Sequence, residues 1–360
     1  MRVAVLGVGL IGGSIGIAAR RRAGAEVSGY DPDPDVRARA LELGALDTAC
    51  ETLQEAVADA QVVFVAAPVG ALAETVAQAL DAAGQDTVVT DVGSTKRALA
   101  GVAGDERFVG GHPLAGAETA GVEHAREDLF EGATWYLTPT RESTAGVLYE
   151  RLYGLLRRFG ARPIAIDADS HDRLMACISH LPHVLANLLA AQAAALRGEG
   201  EDASERLPAV GPSFRDAIRV AGANSDIWTD IYRANADALL GALDELSGRL
   251  AQARALIEQG DAEALRDWNE AARRDRDALL AAGLGEGAPT ELRVHVPNRP
   301  GVVAEIALAL GEEGVNILDM VLSPSPDNSR GVVALWTAGG EQAQRAERLI
   351  GGLGFPVTRA

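Results

Sequence analysis

A handful of polar residues in this chain have the types and spacing that chemistry needs. His112 lies in Gly110-Gly111-His112-Pro113-Leu114-Ala115-Gly116, and Ser94 in Asp91-Val92-Gly93-Ser94-Thr95-Lys96. An imidazole, with an ordinary pKa of about 6.5, suits a group that takes a proton from an alcohol near neutrality, an effect giving about 10²–10⁴-fold in rate. Ser94 can orient or donate to the same hydroxyl, or else cap a helix running on from Thr95. Ser179, His180 and His183 share the run Ser-His-Leu-Pro-His. The two histidines are three apart, hence on one helix face. No Asp, Glu or Cys completes a metal site there and Pro182 interrupts the spacing, so contact with a bound organic molecule is expected. Packing in the core is the bland alternative for His180. Arg219, three residues after Asp216, can grip a carboxylate in bidentate fashion, worth roughly 1.5–3 kcal/mol, or merely pair with Asp216 at the surface. Trp228 ends the polar segment that begins at Asn224.

The element that must position these groups is Met1 to Asp31. A continuous apolar run, Val3 to Leu6, has the composition of a strand buried on both faces. Gly7-x-Gly9-x-x-Gly12 follows, with Leu10 and Ile11 inside it, then a small-residue helix from Ser14 to about Arg21, a strand from Glu26 to Tyr30, and Asp31. This is the order of a dinucleotide site. Gly7 makes the tight turn, Gly9 admits a pyrophosphate, Gly12 lets helix and strand pack, and Asp31 accepts from a ribose hydroxyl. A carboxylate there repels a 2′-phosphate, so NAD is expected over NADP. Further strands at Gln61–Ala66, Thr87–Thr90 and Phe108–Pro113, alternating with helices at Asp33–Leu43 and Leu72–Ala83, predict a doubly wound parallel sheet. Its crevice gathers the glycine loop, Ala67, Pro68, Asp91 and Ser94 beyond the strand ends, and delivers His112 to the same edge. Strands at Thr134–Leu137 and Arg162–Ile166 complete a domain over residues 1–168.

The chain has 360 residues and a net charge of −18. Its length suggests two or three domains, and its charge argues against nucleic acid and anionic membrane surfaces as partners. An anionic substrate would need local arginines. Cys50 and Cys177 give no disulfide framework and suit a reducing cytoplasm. The glycine-punctuated N-terminus, with Arg20, Arg21 and Arg22 behind it, does not read as a signal peptide. The apolar segment Met175–Leu196 contains His180, Pro182, His183 and Asn187 and is read as a buried helix, not a membrane span.

Residues 169–283 read as all-helical, with long helices at His171–Leu196, Ile227–Ile257 and Ala262–Leu280. Helices of this length need a partner surface, and a homodimer is expected. A linker, 284–290, leads into residues 291–360, whose pattern is βαββαβ. Pro297-Asn298-Arg299-Pro300-Gly301 followed by Gly314-Val315-Asn316-Ile317 resembles the ACT domain, an amino-acid-sensing module. The resemblance implies an effector bound near Asn298, Arg299, Gly301, Val302, Asn316 and Ile317, where two such units pair.

Taken together, Gly7–Ser14, Asp91–Lys96, Gly110–Gly121, Ser179–His183 and Phe214–Trp228 resemble the prephenate dehydrogenase family over residues 1 to 282. The resemblance implies NAD-dependent oxidative decarboxylation of prephenate to 4-hydroxyphenylpyruvate in tyrosine biosynthesis, with arogenate as the alternative substrate. It implies His112 as the catalytic histidine, Ser94 as its helper, and His183 as a substrate or cofactor contact. Arg219 would be the carboxylate binder, Glu118 an acidic gate, and Trp228 a neighbour of the site, with tyrosine a feedback effector at the ACT unit. One departure is Pro212-Ser213, where many relatives carry a glycine pair. Another hydroxyacid or imine dehydrogenase would ordinarily use a lysine in place of His112 and Ser94. A non-catalytic amino-acid sensor would not need His112, Asp31 and all three glycines.

Overall fold

The computed structural model describes residues 1–116, 119–139, 146–196, 210–283, 289–299, 301–315, 317–325 and 329–359. Glu118, Asn316 and linker residues 284–288 lie outside these. The chain forms two compact units, Met1–Ser247 and Gly248–Ala360.

The first unit opens with β1 (Arg2–Leu6), α1 (Leu10–Ala23), β2 (Glu26–Tyr30), α2 (Pro34–Glu42), β3 (Thr48–Ala49), α3 (Leu53–Val57), β4 (Val62–Val65), α4 (Val69–Ala82) and β5 (Val88–Asp91). The strands stand in order β3-β2-β1-β4-β5, every pair parallel. Every residue of β4 and all but the first of β1 is buried, as apolar runs covered by helices on both faces require. β3 is too short to leave a period in the sequence. α3, not anticipated from the sequence, starts at the capping box Thr52-x-x-Glu55, in which Thr52 Oγ1 accepts from the Glu55 amide at 3.2 Å. Helix α1 begins at Leu10, ahead of the Ser14 start expected, with Gly9 as N-cap and no side chain capping it.

Gly7 has φ 87°, and a Cβ there would lie 2.6 Å from the Ala66 carbonyl oxygen. A Cβ on Gly12 would overlap the Gly7 carbonyl. Both positions are therefore fixed by packing inside the protein.

The next three strands depart from the all-parallel expectation. β6 (Gly110–Pro113), β7 (Thr134–Thr138) and, beyond α5 (Val147–Arg158), β8 (Arg162–Ala165) make their own sheet, in which β7 is antiparallel to β6. A parallel bridge between Val89 and Phe108 joins it to β5. The domain thus keeps one edge for its crevice while reversing direction at its far side.

Helices α6 (Ala168–Met175) and α7 (Leu181–Ala195) are joined by a π-helical turn, Ala176–His180, inside what the sequence presented as one helix. α8 (Pro212–Ile218), a tight turn at Arg219–Gly222, α9 (Ser225–Ala234) and α10 (Ala236–Gln259) follow. The single helix expected over 227–257 is broken at Asn235, whose buried side chain is used elsewhere. The span 168–195 is long and apolar enough to cross a membrane, but only 28% of its apolar window is buried. The expectation of a wholly buried helix is corrected: one face is buried, while Ile178, Leu188 and Leu189 are exposed.

The second unit holds the end of α10, α11 (Ala262–Gly283), β9 (Pro289–Pro297), α12 (Val302–Glu312), β10 (Ile317–Pro324), β11 (Arg330–Ala338), α13 (Gly339–Gly352) and β12 (Val357–Arg359). Its antiparallel sheet, ordered β10-β11-β9-β12, packs the expected βαββαβ unit around Leu292, Val294, Ile306, Leu310, Val333, Leu335 and Ile350.

Gly12→Ala should cost about 1–3 kcal/mol through overpacking, read as a lowered urea midpoint. Gly9→Ala, which meets no protein atom within 4 Å, should leave the midpoint unchanged.

Candidate functional site

The carboxyl ends of β1, β2, β4 and β5 are tied into one edge. The Gly7 amide donates to the Tyr30 carbonyl at 2.8 Å, the Ala66 amide to Leu6 at 2.6 Å, and the Val92 amide to Val65 at 3.2 Å. Asp31 sits there as expected. One carboxylate oxygen accepts from the Val8 amide at 2.8 Å and the other from the Asp33 amide at 3.1 Å, so it braces the glycine loop. Each oxygen keeps a lone pair for a ligand hydroxyl.

Gly9 is the informative position. Gly7 and Gly12 are required by the protein's own packing, whereas the space where a Cβ of Gly9 would stand is open. An uncapped helix N-terminus at Leu10 and Ile11 faces an opening that only a glycine leaves free, which fits a dinucleotide pyrophosphate. Ala67 is half-buried and Pro68 exposed at the neighbouring loop.

Asp91 is placed differently from the sequence expectation. It is fully buried, and its carboxylate accepts from the Gly111 amide at 2.9 Å, the Gly93 amide at 2.8 Å and the Lys96 ammonium. Its role is to join the loop after β5 to β6, leaving no carboxylate face for a cofactor. Lys96, equally buried, has its pKa lowered by desolvation against the opposing pull of Asp91. Ser94 is half-buried on the same loop.

His112, half-buried on β6, faces His171 of α6: its Nδ1 lies 2.9 Å from His171 Nε2, with ring centroids 5.1 Å apart. Burial first, then the Lys96 charge, push the His112 pKa well below its ordinary 6.5, so the ring is neutral near pH 7. His171 Nδ1 lies 2.8 Å from Asp172 Oδ1, and both residues are fully buried. Asp172 also accepts from the backbone amides of Lys96 at 2.8 Å and Arg97 at 2.9 Å. Burial alone would raise its pKa; the bonds from His171, Arg97 and Lys96 outweigh that and lower it. Asn235 ties the network to the helices: its Nδ2 donates to the Asp172 carbonyl at 2.7 Å and lies 3.2 Å from His180 Nδ1, while its Oδ1 accepts from Arg97 Nη2 at 3.0 Å.

His180 and His183 share the buried face of the π turn and α7. His183 stacks on Trp228, centroids 3.6 Å apart at 7°, and hydrogen-bonds Tyr232. Desolvation lowers both histidines, His180 to about 4. The Nε2 atoms of both are buried with no hydrogen-bond partner among the described residues. An unpartnered buried nitrogen such as His180 Nε2 is unusual in a packed core. Arg219 is exposed on the turn beside Val220, whose carbonyl meets His183. Ser179 is half-buried in the π turn. Among the described residues no three His, Cys, Asp or Glu side chains are arranged to hold a metal ion.

In the second unit, Asn298 and Arg299 are exposed, and Arg299 pairs with Glu305 at 2.6 Å. Gly301 turns into α12 at φ 86°. Val302 is buried in the core, so its side chain cannot meet an effector, and Ile317 packs against that core.

Sequence reasoning missed His171, Asp172, Lys96, Asn235 and Tyr232. His171-Asp172 was visible only as polar residues near a helix start, and nothing local announced their burial.

Three family models match in succession: the nucleotide-binding domain of prephenate dehydrogenase at residues 15–165, its dimerization domain at 167–270, and the ACT domain at 290–349. The prephenate dehydrogenase of Bacillus subtilis is 32% identical over 363 residues, 97% of this chain and 95% of that protein. The cyclohexadienyl dehydrogenase of Zymomonas mobilis is 32% identical over 77% of this chain and 95% of its own. The crystal structure of Aquifex aeolicus prephenate dehydrogenase with hydroxyphenyl propionate and NAD+ is similar at TM-score 0.70, with 27% identity over 78% of this chain and 98% of that one. Synechocystis arogenate dehydrogenase is similar at TM-score 0.68, with 29% identity over 78% of this chain and 100% of that one. With its motifs, its fold and a relative matched along nearly its whole length in agreement, this chain belongs to the prephenate dehydrogenase family.

Proposed function

We propose that this oxidoreductase is NAD-dependent and acts on prephenate, oxidising the ring alcohol with loss of the ring carboxylate as CO₂. The observation that carries this reading is the half-buried His112 with its Nδ1 engaged by His171, in the same unit as a glycine loop whose middle glycine faces open space. The loop Gly7–Gly12, the N-terminus of α1 at Leu10 and Ile11, and Asp31 would hold NAD. When bound, NAD supplies the acceptor for hydride from the carbon bearing the hydroxyl.

The protein's own part is proton handling and grip. His112 accepts the hydroxyl proton at Nε2 while Ser94 orients that hydroxyl. The ring carboxylate must leave as neutral CO₂, and a tight cation on it would oppose that loss. Arg219 therefore holds the other, retained carboxylate, with Ser179, His180, His183 and Trp228 around the substrate. The buried His180 Nε2, which lacks a protein partner, is the atom such a contact would satisfy. The family contains an arogenate dehydrogenase of similar fold, so an amino-bearing side chain is the second reading. An amino-acid effector, tyrosine, bound around Asn298, Arg299 and Gly301 of paired ACT units would supply feedback, with dimerisation through the helical region bringing two chains together.

NADH release with prephenate and with arogenate tests this directly; turnover of neither would end the reading. His112→Asn should lower kcat by about 10²–10⁴-fold. Arg219→Ala should raise KM with little change in kcat; an unchanged KM would remove the arginine from the site. Because the His112 pKa is depressed, its base form persists as pH falls, so kcat/KM should stay level through pH 6.5, with the acid limb below it. Deleting 290–360 should abolish inhibition by tyrosine without abolishing turnover; inhibition that persists would move the effector into the active site.

A further inference from the structure

Asp172 has both oxygens filled by donors. Oδ1 takes the Lys96 amide and Oδ2 the Arg97 amide, with Arg97 Nε at 3.4 Å from Oδ2. A carboxylate held this way only accepts. The group 2.8 Å from Oδ1 is His171 Nδ1, so that nitrogen must carry a hydrogen. Were it bare, two lone pairs would face each other in a fully buried space. With the His171 ring neutral, one of its nitrogens donates and the other accepts. His171 Nε2 is then the acceptor, and its partner 2.9 Å away, His112 Nδ1, must donate. That leaves the proton-accepting lone pair of His112 on Nε2, the nitrogen turned away from His171.

We propose that His171, anchored by Asp172, is a positioning residue that locks His112 into the tautomer with a bare Nε2. The inference rests on His112 being the base for the substrate hydroxyl. During turnover one proton moves from that hydroxyl to His112 Nε2. The Nδ1 proton stays where it is, shared toward His171, and neither His171 nor Asp172 changes protonation. The new imidazolium is stabilised by a donor–acceptor chain that already points its negative end toward the ring. The site is built for this: Asn235 holds the Asp172 carbonyl, and Tyr136 packs edge-on against the His171 ring at 5.7 Å. His171 has no opening to substrate or cofactor, being fully buried, so its effect must pass through His112.

The test combines spectroscopy with kinetics on the full-length protein. The chain has six histidines, so ring-nitrogen NMR of isotope-labelled protein, with His112→Asn for assignment, reads the tautomer without any substrate. A single His112 species protonated on Nδ1 is expected. A His112 protonated on Nε2, as a cationic His171 would impose, overturns the proposal. In kinetics, His171→Phe should lower kcat by about 10²-fold, the lower end of general-base effects, with KM for prephenate and affinity for NAD nearly unchanged. His171→Gln, whose amide oxygen can accept from His112 Nδ1, should recover much of that loss. Wild-type kcat in His171→Phe overturns the positioning role while leaving His112 as the base. Absence of turnover in the wild type overturns the functional reading and leaves the tautomer result standing. Should His171→Phe fail to fold, the wild-type spectrum decides alone.

Discussion

The carboxylate of Asp172 is the constraint on which the rest of the first unit depends. It lies on a helix outside the parallel sheet, yet it accepts the backbone amides of Lys96 and Arg97, on the loop leaving β5. Those bonds fix the loop that carries Ser94 against the helix that carries His171. A surface contact could drift by an ångström without consequence. A buried carboxylate holding two amides, a guanidinium and an imidazole cannot, because each unmade bond would strand a polar group away from water. The nucleotide-binding sheet and the helical region are thereby held in one register, and His112, between them on β6, inherits its orientation from both.

The same pocket solves an electrostatic problem. The chain as a whole is strongly acidic, at −18, but a proton acceptor in this reaction must not already be protonated. Burial and the nearby Lys96 charge keep His112 neutral. Lys96 itself is tolerable in the interior only because Asp91 stands against it. A buried pair of this kind contributes little net stability, since desolvation consumes most of the attraction. Its value is positional: it locks Gly93 and Gly111 around one carboxylate and holds a positive charge near His112.

Much of this was legible in the sequence because it is written in short-range chemistry. The glycine spacing, the apolar strands and Asp31 each depend on neighbours within a few residues, and the first five parallel strands, the helical character of the middle region and the βαββαβ unit emerged as read. The illegible part is long-range. His171 and Asp172 come just after the N-cap Asp167, whose side chain accepts from the Ser170 amide, so the segment has the composition of an ordinary solvated helix start. Only the fold shows that two of its residues are fully buried, His171 against His112 of β6 and Asp172 against the loop after β5. Asn235 likewise sits inside a helical pattern and breaks it because its amide serves Asp172, His180 and Arg97 at once. Asp91 failed in the opposite way. An acid at a strand end reads as a ligand-facing group, and burial turned it inward.

The π turn shows how one helix can serve two masters. An extra residue per turn at Ala176–His180 rotates α7 relative to α6, and such insertions cluster where function needs a side chain re-aimed. His171 and Asp172 precede the turn, the first meeting His112 of β6 and the second the loop after β5; His183 lies beyond it and stacks on Trp228 of α9. A regular α-helix would carry residues 171 and 183 on a fixed angular offset of about 100° per residue, with no freedom to satisfy both neighbours. The outer side of the same element meanwhile exposes Ile178, Leu188 and Leu189, in a region matched by the family's dimerization domain. Covering that side with a second copy would bury apolar surface on the helix that bears His171 and His183. Association would then restrain the residues that hold His112, and the geometry of the proposed site would rest in part on the stability of such a dimer.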